Sequence, residues 1–383
     1  MDPEDSSEFE EDEEEDDDLM LFILPALYLA STGIGTLDQR SMVSDGTVIE
    51  TPSQVSKFND AEWICKVLED DRGQGYDKLR VEPHILLELS RYLRSNDLLR
   101  NTRGVSVEEK IGMFIYMLSR NASFQKLNDR FKYSTETIHR HIKVCFDAVT
   151  PMTAEFVKPP LIQAHRKISS DTRYGPYFEN CIGAIDGIHV PMTISDSEAA
   201  PYRNRQESLS QNVMLACDFD LNFVYVSCSR EGSASDAAVL YSAIESGFEV
   251  PRGKYYLVDG GYANMPSFLA PYNEVPYHTE EQDESNFQPM DYRELFNLRH
   301  AQLHRHIKRA VGLLKMRFPI LNVATSYRKD TQLKIPSAAV VLHNIIQRQG
   351  AFNSECDMGN ALRDGIALRM WADYESSMCL ISE

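Results

Sequence analysis

The chain is poor in the features that would make it a disulfide scaffold, a membrane protein or a structural zinc protein. Its seven cysteines, Cys65, Cys145, Cys181, Cys217, Cys228, Cys356 and Cys379, are odd in number, scattered, and form no CxxC pair. That excludes a disulfide framework and a CxxC zinc site, and predicts reduced thiols. No apolar run is long enough to span a bilayer, which takes roughly 20 residues. The strongest run, Leu19 to Leu29, is shorter and is interrupted by Pro25. Acids precede it where a secretion signal needs bases, so it is read as a short docking helix and the chain as intracellular, with no membrane partner. No base occurs before Arg40, and no internal repeat is present.

What is there begins with charge. The chain has 383 residues, and its net charge of -19 is concentrated at one end. Met1 to Asp18 hold thirteen acids, leaving 45 acids against 39 bases in the remainder. Like charges at that density repel, so residues 1–57 read as a disordered acidic tail, a short apolar segment and a linker. The tail is either an interaction arm that mimics nucleic acid or a solvated solubility tail.

Helical periodicity starts near Asn59, with Glu62, Trp63 and Val67-Leu68 opening one helix and His84 to Leu93 forming another. Ser106 and Glu109 have the spacing of a capping box, which predicts a helix through Ile111 to Leu118. Phe124 to Phe131, the turn Lys132-Tyr133, and Thr137 to Val149 behind Ser134 follow the plan of a helix-turn-helix. His139, Arg140 and Lys143 would be its DNA-facing residues. An ordinary three-helix bundle with a basic polar face has the same pattern. Residues 58–150 are therefore assigned to an all-α, helix-turn-helix-like domain.

After Pro151 the pattern changes to strand-like runs, Ile182–Ile185, Val213–Cys217, Val224–Ser227 and Tyr255–Val258. Asp218 to Asn222 reads as a hairpin turn, and helical stretches follow at Arg299–Phe318 and Pro336–Arg348. This order predicts an α/β domain over residues 178–348, with a tail at 349–383. Two runs end in Asp-Gly, at Asp186-Gly187 and Asp259-Gly260. Taken singly, each pair is more often a turn than a metal ligand. Taken together, acids fixed at strand ends suit divalent ions that hydrolyse phosphodiesters, with Gly letting a substrate approach.

From about residue 105 to 350 the chain resembles the PIF/Harbinger transposases and the genes domesticated from them, especially those of plants. The resemblance rests on motifs in order: Gly183-Ala184-Ile185-Asp186-Gly187-Ile188-His189-Val190, Tyr202-Arg203-Asn204-Arg205, Leu209-Ser210-Gln211-Asn212-Val213 and Cys217-Asp218-Phe219-Asp220. Glu231-Gly232-Ser233-Ala234 with Asp236, Val258-Asp259-Gly260-Gly261-Tyr262, Phe268 to Tyr272, Phe296 to His300, Arg317 to Leu321 and Leu342 to Ile346 continue it. It implies an RNase H-like DDE domain with a mixed sheet flanked by helices, a nuclear hydrolase of the metal-dependent nuclease type, and Mg²⁺ or Mn²⁺ as cofactor. It also implies DNA and a Myb/SANT-like DNA-binding protein as partners, with a chromatin complex in view.

Carried over by position, Asp186 and Asp259 are the first two catalytic, metal-binding acids. The third acid of the resemblance is a Glu in a helix reading Ile-Glu-Arg, and here Ile307-Lys308-Arg309 puts Lys308 there. A cation cannot ligate Mg²⁺ and repels it. Lys308 would instead pair with Asp186 or Asp259 and fill the metal's electrostatic role, with no ion bound. Glu294 is the nearby acid that could substitute, and Ser235 replaces a His common among relatives. The expectation is an impaired nuclease acting in DNA or chromatin interactions. The alternatives are an active metal-dependent endonuclease or transposase and a decayed transposon copy. Arg203, Arg205, Arg309, Lys315 and Arg317 are the predicted phosphate contacts beside the cleft. His300 and His304 have the spacing of a zinc pair on one helix face, with His306, Arg299 and Arg305 close by, but lack an evident third ligand. They are read as part of a basic face turned to DNA or solvent.

Overall fold

The computed structural model describes Ile64, Val67 and residues 79–348, apart from 274 and 276–288. The acidic tail, the run Leu19–Leu29, the linker, the residues Glu62, Trp63 and Leu68, and the tail from 349 lie outside the described residues.

Among the described residues, four helices of eight residues or more precede the sheet. Helix α1 is Pro83–Ser95 and α2 is Val107–Arg120. The capping box is present as the spacing predicts: Glu109 N–H donates to Ser106 Oγ at 3.2 Å and Ser106 N–H to Glu109 Oε2 at 2.8 Å. Such caps satisfy amide groups that the first turn leaves unpaired. Helix α3, Phe124–Phe131, ends at Lys132 in the left-handed conformation. Ser134 then caps α4, Thr135–Val149. Phe114 of α2 meets Phe146 of α4 edge to face at 4.8 Å, a pair worth ~0.5–1.5 kcal/mol beyond its buried area.

Among the described residues the sheet has five strands in the order β3-β2-β1-β4-β5. They are β1 Cys181–Pro191, β2 Ser210–Cys217, β3 Phe223–Glu231, β4 Tyr255–Leu257 and β5 Phe268–Leu269. β1 runs antiparallel to β2 and parallel to β4, so the sheet is mixed and β1 is central. The hairpin turn is where the sequence places it, closed by Asp218 N–H donating to Asn222 O at 3.0 Å. β1 runs well past its apolar segment because its ladder with β2 continues through Asp186↔Leu215 to Pro191↔Ser210.

Helices cover both faces of the sheet. α5, Asp236–Glu245, packs Val239, Leu240 and Ala243 with Ile182, Ile185 and Met214 on one face. α6, Tyr292–Arg317, and α7, Lys329–Gln347, cover the other with Ala184, Ile188, Leu215 and Phe223. That second core is continuous with the interior of α1 to α4. Asn344, fully buried, ties the two parts by donating to Phe156 O at 2.8 Å and accepting from Phe223 N–H at 2.8 Å.

Both late helices begin earlier than periodicity predicts. α6 starts at Tyr292 because Asp291 Oδ1 accepts the amides of Arg293 and Glu294. α7 contains Pro336, which removes the donor for Gln332 O. Gln211 Nε2 of β2 fills that gap at 3.0 Å, so the proline is accommodated inside the helix.

Candidate active site

The site begins with backbone proximity. A Cβ at Gly183 would lie 2.0 Å from Cys217 O, so only glycine lets β1 cross β2 at this point. On the other side, Ala184 pairs with Leu257 in parallel register. Two residues further along each segment, Asp186 and Asp259 come near enough for the charge of Asp259 to raise the Asp186 pKa. Each carboxylate is steadied by a local amide: Asp186 Oδ1 accepts Gly187 N–H at 2.9 Å and Asp259 Oδ1 accepts Gly261 N–H at 3.0 Å.

A third carboxylate joins them from the first turn of α5. Ser235 Oγ caps that helix by accepting Ala238 N–H at 3.3 Å, which leaves Asp236 projecting from its start. Asp236 Oδ1 accepts from Asn212 Nδ2 at 2.8 Å. It also fills the space beside Gly187, where a Cβ would lie 2.4 Å from the same oxygen. Gly187 therefore makes room for a protein carboxylate as well as exposing a strand end. Gly260 differs: a Cβ there meets nothing nearer than Asn273 Oδ1 at 3.8 Å. The Tyr262 hydroxyl completes the group. It is buried, has no hydrogen-bond partner among the described residues, and is held above the ordinary phenol range by burial and then by the charges of Asp236, Asp186 and Asp259.

Helix α6 supplies the cation. His300 Nε2 bonds Leu269 O at 2.8 Å, and His304 Nε2 bonds Ile185 O at 3.1 Å. The two rings stack at 5.8 Å. Both are buried, and burial pulls their pKa values down to about 4 and about 3. The neutral rings thus pin α6 to β5 and β1 next to Asp186, and neither zinc spacing nor a solvent-facing basic surface describes them. One turn beyond His304, Lys308 is exposed and near enough to lower the Asp186 pKa. Among the described residues no direct ion pair joins Lys308 to Asp186. Its effect is a field across the site.

The balance of charge remains negative. Desolvation first, then the charge of Asp259, raise the Asp186 pKa to about 7, with Asp236 a smaller cause in the same direction; Lys308 and the Gly187 amide oppose them. A carboxylate crowded by two others, with an unpartnered phenol beside it, is chemically suited to a hard divalent cation. Among the described residues no three His, Cys, Asp or Glu side chains close around one point as a complete cage. Mg²⁺ needs no such cage, since it commonly takes one or two carboxylates and completes its shell with water and phosphate oxygens.

The other sequence-derived residues are dispersed. Glu294 Oε2 accepts Met290 N–H at 2.6 Å and so closes the start of α6. Arg203 reaches Glu207 O at 2.8 Å, and Arg205 is exposed. Arg317 is turned to His343 Nδ1 at 3.0 Å and Gln347 Oε1 at 3.1 Å, at the junction of α6 and α7. Lys315 is half-buried on α6. On α4, His139 packs against the Phe124 ring at 5.4 Å while Arg140 and Lys143 are exposed. Arg309 lines a cleft with Lys167, Arg173 and Arg305. Asp236, Asn212 and Tyr262 were legible only as motif members; the sheet register that joins them to Asp186 is a tertiary fact.

Comparison with known proteins agrees with this architecture. Residues 185–344 match the DDE superfamily endonuclease family, and residues 55–151 match a domain of unknown function, DUF8040. The chain is 27% identical to the Rattus norvegicus protein named "Putative nuclease HARBI1" over 258 residues, 66% of this chain and 70% of that one. The Homo sapiens protein of the same name is 26% identical over 258 residues, with the same shares. The Xenopus laevis protein is 27% identical over 252 residues, 64% of this chain and 69% of its own. These relatives are vertebrate, and the plant leaning of the sequence reading has no counterpart among them. No solved structure matches the chain.

Proposed function

Proceeding from a DDE superfamily endonuclease domain homologous to the Harbinger transposase-derived nucleases, we propose that this protein engages DNA in the nucleus but cuts it poorly or not at all. The observation that carries this reading is Lys308. It stands in the third-acid position of the resemblance, and its charge reaches Asp186. A metal-dependent phosphodiesterase needs its carboxylates to concentrate positive charge from ions. A fixed ammonium supplies part of that charge without activating water.

Asp186 and Asp259 are the residues that would hold Mg²⁺ or Mn²⁺, with Asp236 close by. Such an ion, when bound, activates the attacking water and stabilises the leaving oxygen. The chain's own contribution is orientation. β1 and β4 fix the two acids in register, the Gly187 and Gly261 amides aim one oxygen of each, and the His304 contact to Ile185 O sets how closely Lys308 approaches. Lys308 disfavours ion binding by repulsion and leaves the site able to hold a phosphate without cutting it. In this reading a Myb/SANT-like protein recognises the target, and the α3–α4 unit, with His139, Arg140 and Lys143, contacts DNA or that partner within a chromatin assembly.

The test is cleavage of labelled duplex and single-stranded DNA in Mg²⁺ or Mn²⁺, with ion binding followed by calorimetry. The parent is expected to leave DNA intact, and Lys308→Glu to bind the ion at least about tenfold more tightly, a difference of ~1.4 kcal/mol.

A second reading is favoured by one observation, the approach of Asp236 to Gly187. Asp236 would then serve in place of the missing Glu and the enzyme would be active. Cleavage by the parent, abolished by both Asp186→Ala and Asp236→Asn, would establish that reading and remove the first.

A further inference from the structure

The acid site holds one polar group with no assigned part, the hydroxyl of Tyr262. The residue closes the turn that follows β4, where its N–H donates to Asp259 O at 3.3 Å. In the same turn Gly261 N–H donates to Asp259 Oδ1. The phenol ring enters the core on the α5 side of the sheet. There it shares an apolar cluster with Ile185, which precedes Asp186, with Val258, which precedes Asp259, and with Val239, three residues after Asp236. Tyr262 is only 5% exposed.

A buried phenol usually finds a partner for its O–H. This one has none among the described residues. Acceptors are nevertheless close: after burial, the charges of Asp236, Asp186 and Asp259, in that order, keep the proton on the phenol. The acids are held by other donors. Asp186 Oδ1 accepts from the Gly187 amide at 2.9 Å, and Asp236 Oδ1 from Asn212 Nδ2 at 2.8 Å. The Asn212 amide cannot turn over, because Nδ2 also donates to Ala234 O at 3.0 Å and a flip would set its oxygen against two acceptors. Asp236 is therefore fixed by one oxygen, and among the described residues nothing donates to the other.

A buried donor without an acceptor destabilises the protein that carries it. Such a group is explained where a ligand or ion completes its surroundings. Carboxylates that hold a metal ion are themselves oriented by outer hydrogen bonds. We propose that Tyr262 is a positioning residue of the acid site, whose hydroxyl donates to the Asp236 carboxylate when a cation is held at Asp186 and Asp259. In the empty site the three acids repel one another and the hydroxyl stays unbonded. In the filled site that repulsion is relieved, Asp236 closes on its neighbours, and Tyr262 fixes the side of the site that α5 presents. This role rests on reading the acids as a cation site, and it holds whether or not DNA is cut.

Tyr262→Phe keeps the ring and removes only the hydroxyl. The experiment is calorimetric titration of the full chain with Mn²⁺ alone, in the parent and in Lys308→Glu, each with and without Tyr262→Phe, beside thermal unfolding in the presence of a chelator. In Lys308→Glu, Tyr262→Phe is expected to weaken Mn²⁺ binding by at least about tenfold, the lower end for loss of an outer hydrogen-bond partner. In chelator its melting temperature should equal or exceed that of the chain with Tyr262, because an unbonded buried hydroxyl has been removed. A hydroxyl that only braces the fold would give a lower melting temperature and an unchanged affinity, which overturns the role. Tyr225→Phe is the control, since that hydroxyl bonds Ala243 O at 3.5 Å, and it should leave Mn²⁺ affinity unaltered. If neither the parent nor Lys308→Glu takes up Mn²⁺, the cation-site reading fails and the role of Tyr262 fails with it. If Lys308→Glu binds the ion equally well with and without the hydroxyl, the cation site stands and only the role of Tyr262 is overturned.

Discussion

Helix α6 turns His300, His304 and Lys308 toward the sheet and Gln302, Arg305 and Arg309 toward the cleft. On the first side three carboxylates outnumber one ammonium, and the Asp186 pKa rises to about 7. On the second, Arg173 holds the Asp171 pKa down to about 2, and Lys167 pairs with Asp220 at 3.8 Å. The same helix thus separates a region where carboxylates outnumber cations from one where cations are paired with carboxylates. The contrast teaches that neither region can be judged by net charge. What matters is the counter-ion of each: a divalent cation suits the acids on one side, and the protein's own Asp171 and Asp220 serve on the other.

The largest expected effect on this contrast comes from pH. His300, His304, His306 and His343 have folded pKa values of about 4, 3, 4 and 3, against roughly 6.5 when unfolded. Between those limits the unfolded chain binds more protons. The histidine contribution is therefore complete above about pH 6.5 and drains away as the pH falls toward 4. Urea unfolding at pH 7 and pH 5 should show a marked loss, and His304→Gln, which keeps a donor for Ile185 O, should shrink it. An undiminished loss would mean the sheet side of α6 is not where the protons enter.

Asp186→Asn is the next largest. Its raised carboxyl pKa has the opposite sign: stability falls as the pH rises from about 4 toward 7, then levels off. Without divalent ions, the variant should be more stable than the parent by about 1–3 kcal/mol at pH 8 and equal to it near pH 4. Added Mg²⁺ should leave the variant's melting temperature unchanged and raise the parent's less than it raises that of Lys308→Glu. Equal stability at pH 8 would remove the claim that this side awaits a cation.

Smaller still is the difference between the two Asp-Gly pairs. Gly187→Ala forces its Cβ against Asp236 and is expected to cost about 1–3 kcal/mol by denaturant unfolding. Gly260→Ala makes only an ordinary contact, 3.8 Å to Asn273 Oδ1, and should stay within about 0.5 kcal/mol of the parent. If both cost the same, Asp236 does not occupy the place beside Asp186 that its contact distance gives it. Ser235→Ala, which removes the cap that presents Asp236, should cost about 1 kcal/mol.

Much of this was legible beforehand. The capping box at Ser106 and Glu109, the cap at Ser134, the hairpin at Asp218 to Asn222 and the mixed α/β class follow from local chemistry, which short stretches carry in full. The early start of α7 was not legible, because Pro336 normally argues against a helix and only Gln211, more than a hundred residues earlier, supplies the missing donor. The histidines misled for a related reason. Spacing at four residues fixes a shared face but not what that face meets, and here it meets carbonyls of β1 and β5.

By itself the sequence determined the two acids at strand ends and the motif order that the DDE superfamily endonuclease family matches over residues 185–344, because each is a matter of residue identity along a line. Only the tertiary structure decided that Asp236 and Tyr262 join those acids, that Lys308 acts through space, and that Arg309 belongs with Lys167, Arg173 and Arg305. Those are outcomes of sheet register and helix rotation. A shift of one residue in a strand, or of 100° around a helix, would reassign every one of them without changing a single local signal.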